Sequence, residues 1–218
     1  MKQIIGICIA VIVGTNTFSQ SDKYIKTMES KLISVDTTVS VSGLTDLSNS
    51  FQRIGDAEKT QWLPYYYAAL ASVKSGYMQS MGGQVPNPTA IDQAADKADD
   101  LIKKAEELSK DNSEIYCIKK MIATLKMMAD PMTRWQTYGP MAAEALAKAK
   151  ELNPNNPRVA LLEGQDKFFT PEQYGGSKAE AKVIFEDAMK KYESFKPESS
   201  IAPQWGLSTV KYLYSQCK

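Results

Sequence analysis

The chain has 218 residues, with 26 Lys and Arg against 25 Asp and Glu, 43% hydrophobic residues, three Cys and no His. Without an imidazole, a Ser-His-Asp or Cys-His triad, a two-His zinc site, a His-ligated haem and a His general base are all excluded. Catalysis would have to run on carboxylates, Lys, Tyr or Ser. The charge is close to balanced and the Lys residues are scattered among acids, so the clustered basic excess of a nucleic-acid binder is missing; no nucleic-acid partner is expected.

Residues 1–19 carry Lys2, an apolar run from Ile4 to Val13 and then small polar residues, with Thr17 and Ser19 placed as at a cleavage site. This is the pattern of a secretory signal peptide, and its apolar run is well short of the roughly 20 residues of a spanning helix. Cys8 lies inside that run rather than closing it, which argues against a lipid-bearing Cys. The expectation is an exported protein, periplasmic or secreted, with one all-helical domain over 20–218 and no membrane insertion after cleavage.

The first helix is predicted over 22–35, started by Asp22 and carrying Tyr24, Ile25, Met28, Leu32 and Ile33 on one face. A break at 36–43 precedes a second helix with Leu44, Leu47, Phe51 and Ile54 at three- and four-residue steps. The third helix is predicted from about 58, through Trp62, Tyr65, Tyr66, Ala69, Leu70 and Val73. Three consecutive tyrosines, 65–67, span some 200° of a helix, so at least one is predicted to be exposed or groove-facing. Gly and Pro over 76–88 predict a long loop. Further helices are predicted at 89–109, 113–129, 140–152, 157–168, 177–195 and 203–216, with Ser177 and Glu180 forming a capping box behind Gly175-Gly176.

Three of these helices repeat a small, large, small pattern: Ala98, Ile102, Ala105; Ala142, Leu146, Ala149; and Ala181, Phe185, Ala188. Two small residues on one face let a neighbouring helix approach, while the large one between them fills its groove. The copies are offset by 44 residues (98 to 142) and 39 residues (142 to 181), which makes the unit a helical hairpin with insertions near 130–139 and 169–176. With Pro154 following Ala149 in AKAKELNPNNP, this resembles the tetratricopeptide repeat, over about residues 60–195. The segment TPEQYGGSKAEA and the pair Trp205-Gly206 look like features of exported bacterial members. The resemblance implies an all-α superhelix of about three hairpins, with extra N-terminal helices and a C-terminal capping helix.

It also implies a concave groove lined by the first helix of each hairpin. Mapped onto this chain, that lining includes Tyr66, Leu70, Cys117, Met121, Arg158, Leu161 and Gln165, the candidate partner-binding residues. Such a groove suits an extended peptide or a partner helix, unless the N-terminal helices fill it. The reading is therefore a non-catalytic scaffold for a protein or peptide partner, with no catalytic residue, cofactor or metal assigned. The alternative is a glycan-binding protein or carboxylate-dependent glycan-cleaving enzyme, with Glu29 in a Glu-Ser pair and the aromatics of the third helix as a platform. The acidic run from Asp92 to Asp111 is explained by Asp99–Lys103 and Asp100–Lys104 pairs along a helix. Cys117 and Cys217 lie about two hairpins apart, too far for a disulfide.

Overall fold

Side-chain oxygens placed just ahead of the apolar-periodic runs decide where most helices begin. Ser40, Asn87, Asn112, Asn156 and Ser177 each accept a hydrogen bond from a backbone N–H in the first turn that follows. Pro88 and Pro157 come directly after two of these caps, where a missing N–H costs nothing. The computed structural model describes residues 22–81 and 87–217. The segment read as a signal peptide, 1–19, with its Cys8, lies outside the described residues.

Among the described residues there are nine α-helices and no strand. They are α1 (Asp22–Thr37), α2 (Val41–Glu58), α3 (Trp62–Met81), α4 (Pro88–Leu108), α5 (Ser113–Ala129), α6 (Pro131–Leu152), α7 (Pro157–Phe169), α8 (Lys178–Ser194) and α9 (Leu207–Gln216). Consecutive helices run antiparallel. Lys119 on α5 meets Glu106 on α4, and Lys126, two turns later, meets Asp96, nearly three turns earlier. The closest pairings are α2 with α3, α3 with α4, α5 with α6 and α7 with α8, and α3 also touches α5, which in turn touches α7. One apolar core runs through them, from Tyr24 to Cys217.

All nine residues of the small, large, small pattern are buried. A small residue at such a position sets the distance between two helix axes, and a large replacement forces them apart. Ala149→Trp is expected to cost about 1–3 kcal/mol, read as a lower denaturation midpoint; an unchanged midpoint would contradict the close approach at Ala149.

Several boundaries differ from the sequence-based expectation; the first is the start of α2, at Val41, inside the break predicted at 36–43. The second helix runs on to Glu58, where Lys59 in the left-handed region ends it, and α3 starts at Trp62 rather than near 58. α3 then continues through Gly76 to Met81 instead of breaking into a loop. A Cβ on Gly76 would collide with the Leu125 side chain, so this glycine serves a close approach of α3 to α5 and not a turn. α6 starts at Pro131 and carries Pro140 inside it, where the sequence places a helix start. Its early start is anchored by Arg134, which donates to both carboxylate oxygens of Asp92 on α4 (2.5 and 2.9 Å) and to the Lys126 carbonyl. Pro140 sits on the exposed side, so the carbonyl its absent N–H would have served is not sealed in the core. Finally, α9 starts at Leu207, not 203, after Gly206 takes a φ of 108° that favours glycine.

Of the two intrahelical ion pairs expected on α4, Asp99–Lys103 forms, at 2.7 Å. Lys104 turns away from Asp100 and meets Asp56 on α2 at 3.5 Å.

Candidate functional site

The predicted groove residues come together, but inside the protein. Tyr66, Leu70, Cys117, Met121, Arg158 and Leu161 are buried, and only Gln165 is half-exposed. Tyr66, Arg158 and Leu161 are covered by the irregular segment between α8 and α9, while Leu70, Cys117 and Met121 lie on α3 and α5, which pack against each other. Ile201 accepts a hydrogen bond from Tyr67 Oη (3.0 Å), and Trp205 Nε1 donates to Tyr66 Oη (2.7 Å). The Phe195 ring lies 4.6 Å from the Arg158 guanidinium carbon, and Gly206 sits against Leu161 and Tyr192. The concave face is thus occupied by the chain's own strap, residues 195–206. As a correction to the groove assignment, none of those six buried residues is available to a partner in this conformation.

Beneath the strap lies a buried polar network. Glu114 accepts from Arg158 Nε (2.8 and 2.7 Å), from Arg158 Nη2 (2.6 Å), from Asn156 Nδ2 (2.7 Å) and from Tyr66 Oη (2.9 Å). Ser113 Oγ in turn donates to the Ala149 carbonyl and accepts from Asn156. The network ties α3, α5, α6, α7 and the strap to one carboxylate. Burial pulls the Arg158 guanidinium down, yet the facing Glu114 charge outweighs it and holds the group above its ordinary value. Burial, and then Glu114, push the Tyr66 phenol and the Cys117 thiol well up. A thiol kept protonated in this way is a poor nucleophile. Cys117 and Cys217 are both free thiols.

The platform proposed for a glycan is also interior. Tyr65, Tyr66 and Tyr67 are all buried, against the expectation that one would be exposed. Periodicity assumes one solvent face, whereas α3 is enclosed by α2, α4, α5 and the strap, and each phenol still finds an acceptor: Asp56, Glu114 and Ile201 respectively. Glu29 lies exposed on α1.

Two large apolar side chains, Met132 and Trp135, are exposed in the first turns of α6, a stretch read from the sequence only as an insertion. Trp135 precedes Ala142 by seven residues and Ala149 by fourteen, so it continues their face of the helix. Those alanines are buried while Trp135 is 57% exposed. α7 has 13 residues against 22 in α6 and touches it little; their ion pair, Lys150–Glu163, lies in the last turn of α6, far from Trp135. Met132 is 87% exposed, and Tyr138 is half-buried. On a helical wheel they flank Trp135 at about 60° on either side.

Gly139 lies one turn after Trp135. A Cβ on it would meet nothing within 4 Å among the described residues, whereas one on Gly76 would strike Leu125 and one on Gly164 would strike Phe185. A glycine inside a helix costs about 0.5–1 kcal/mol relative to Ala. At Gly76 and Gly164 close packing accounts for that cost; Gly139 directly precedes Pro140, whose ring crowds a Cβ on the residue before it, and the glycine leaves the helix backbone bare at this point. The helix start thus presents an aromatic ring beside bare backbone, an open ledge with Met132 and Tyr138 at its sides. The signal available in the sequence was the phase of Trp135 with Ala142 and Ala149.

No protein-family model and no curated protein sequence matches the chain. Among solved structures it is similar to the HusA haemophore from Porphyromonas gingivalis, with 32% identity over 92% of this chain and 95% of that one, and a TM-score of 0.77. The chain belongs to the HusA family.

Among the described residues no helix is long and apolar enough to cross a membrane, and no group of three or more Asp, Glu or Cys is placed to hold a metal ion.

Proposed function

We propose that this protein is an exported, non-catalytic carrier of haem or a closely related tetrapyrrole, built on tetratricopeptide-like hairpins. The observation that carries the reading is the similarity to a haemophore over nearly the whole of both chains. The predicted signal peptide at 1–19 agrees with a carrier that works outside the cytoplasm. The hairpin reading is supported by the antiparallel pairs α3/α4, α5/α6 and α7/α8 and by the burial of the alanines at their contacts.

The lack of His restricts how such a ligand is held. Iron ligation falls to Tyr, Met or Cys, and Cys117 and Cys217 are buried. Apolar contact with the macrocycle therefore has to supply more of the affinity than in a His-ligated site. Titration of the purified chain with haem and with metal-free protoporphyrin is expected to give a saturable change in porphyrin absorbance and quenching of tryptophan fluorescence. Failure of both probes to saturate would overturn the reading.

A further inference from the structure

The geometry points to the ledge at the start of α6 as the place where the macrocycle lies: flat on the Trp135 indole and across the bare backbone of Gly139, with Met132 and Tyr138 at its edges. This location rests on the tetrapyrrole reading above. Three observations converge on it. Trp135 holds a core-facing register yet is 57% exposed, so an apolar surface that the next turns of α6 bury is here more than half open. Gly139 interrupts the helix next to that ring with open space above it among the described residues, where any side chain would stand up between ring and ligand. The concave face that would otherwise compete for the ligand is closed by the strap, through Trp205 and Tyr66.

The chemistry suits a large planar π-system. An indole offers one flat face for offset stacking, a methionine sulfur and a phenol ring make adaptable contacts with aromatic edges, and a missing Cβ lets a rigid plane approach the helix backbone. An extended peptide would need backbone hydrogen-bond partners, which a helix face with its N–H and C=O groups already paired does not offer.

The test is a set of substitutions in the full chain, each titrated with haem and with metal-free protoporphyrin. A Cβ on Gly139 meets no described atom within 4 Å apart from its chain neighbours, but Gly139 precedes Pro140, whose ring crowds a Cβ on the residue before it, so Gly139→Leu is expected to lower the melting temperature somewhat and is titrated where circular dichroism shows it folded. Its porphyrin affinity is expected to fall at least tenfold. Trp135→Ala is expected to lose affinity to a similar extent, read from porphyrin absorbance; Trp135→Phe should retain part of the affinity. If the unsubstituted chain binds porphyrin and Gly139→Leu and Trp135→Ala bind it equally well, the ledge is wrong and the tetrapyrrole reading stands. If the unsubstituted chain binds neither probe, both fall.

Discussion

Glu114→Ala is expected to destabilise the fold by about 3–5 kcal/mol, because it leaves the Arg158 guanidinium buried without its counter-charge. Arg158 is 1% exposed, and its Nη1 already has no hydrogen-bond partner among the described residues. Removal of the carboxylate would strip the remaining guanidinium bonds to Glu114 and take an acceptor from both Asn156 and Tyr66. The stacked Phe195 ring cannot replace a full negative charge, since a cation–π contact is worth only about 0.5–2 kcal/mol. The companion double variant, Glu114→Leu with Arg158→Met, removes both charges and is expected to recover most of the loss, as buried pairs replaced by apolar groups of similar volume commonly do. Urea denaturation with an unchanged slope reads both effects as shifts in midpoint. A cost below about 1 kcal/mol for the single variant would mean that water reaches the pair and that the network is not the clamp described above.

The same residues show where a sequence stops being readable. The alanine phases at 98–105, 142–149 and 181–188 report packing between neighbouring helices, which a local period carries directly. Tyr66, Cys117 and Arg158 do meet, around Glu114, but no local pattern says that residues 195–206 fold back over Tyr66 and Arg158. That closure depends on a hydrogen bond between Trp205 and Tyr66, 139 positions apart. The start of α6 is hidden for the opposite reason. Pro140 is a strong local signal for a helix start, and it is overridden by the Arg134–Asp92 contact between α6 and α4. Whether Trp135 is covered then depends on which neighbours reach the first turns of α6, a relation between elements that no single segment shows alone. Even the three tyrosines fit this pattern. Their spacing is correct for a helix, but how many faces of that helix are covered is decided by α2, α4, α5 and the strap together.

Trp205→Ala is expected to cost about 3–5 kcal/mol, a value in the range for emptying a large buried aromatic site. The strap between α8 and α9 is irregular, so few backbone hydrogen bonds of its own resist its opening. It is held by Ile201, Trp205 and Gly206, together with Tyr192, whose phenol donates to the Trp205 carbonyl at 2.8 Å. Trp205→Phe keeps a ring in the site and forfeits the indole donor, for which a neutral hydrogen bond predicts about 1 kcal/mol beyond the lost ring area. The order of midpoints is therefore unsubstituted, Phe, Ala. Hydrogen exchange separates a local from a global effect. Amides of 195–206 are expected to exchange faster in Trp205→Ala while those of α5 keep most of their protection, because the strap can detach while the helix pairs remain packed. Because the strap and the ledge on α6 involve different residues, Trp205→Ala is expected to bind porphyrin with unchanged affinity under conditions where it stays folded. A loss of binding in this variant, with Gly139→Leu unaffected, would instead place the ligand under the strap, against Tyr66 and Arg158.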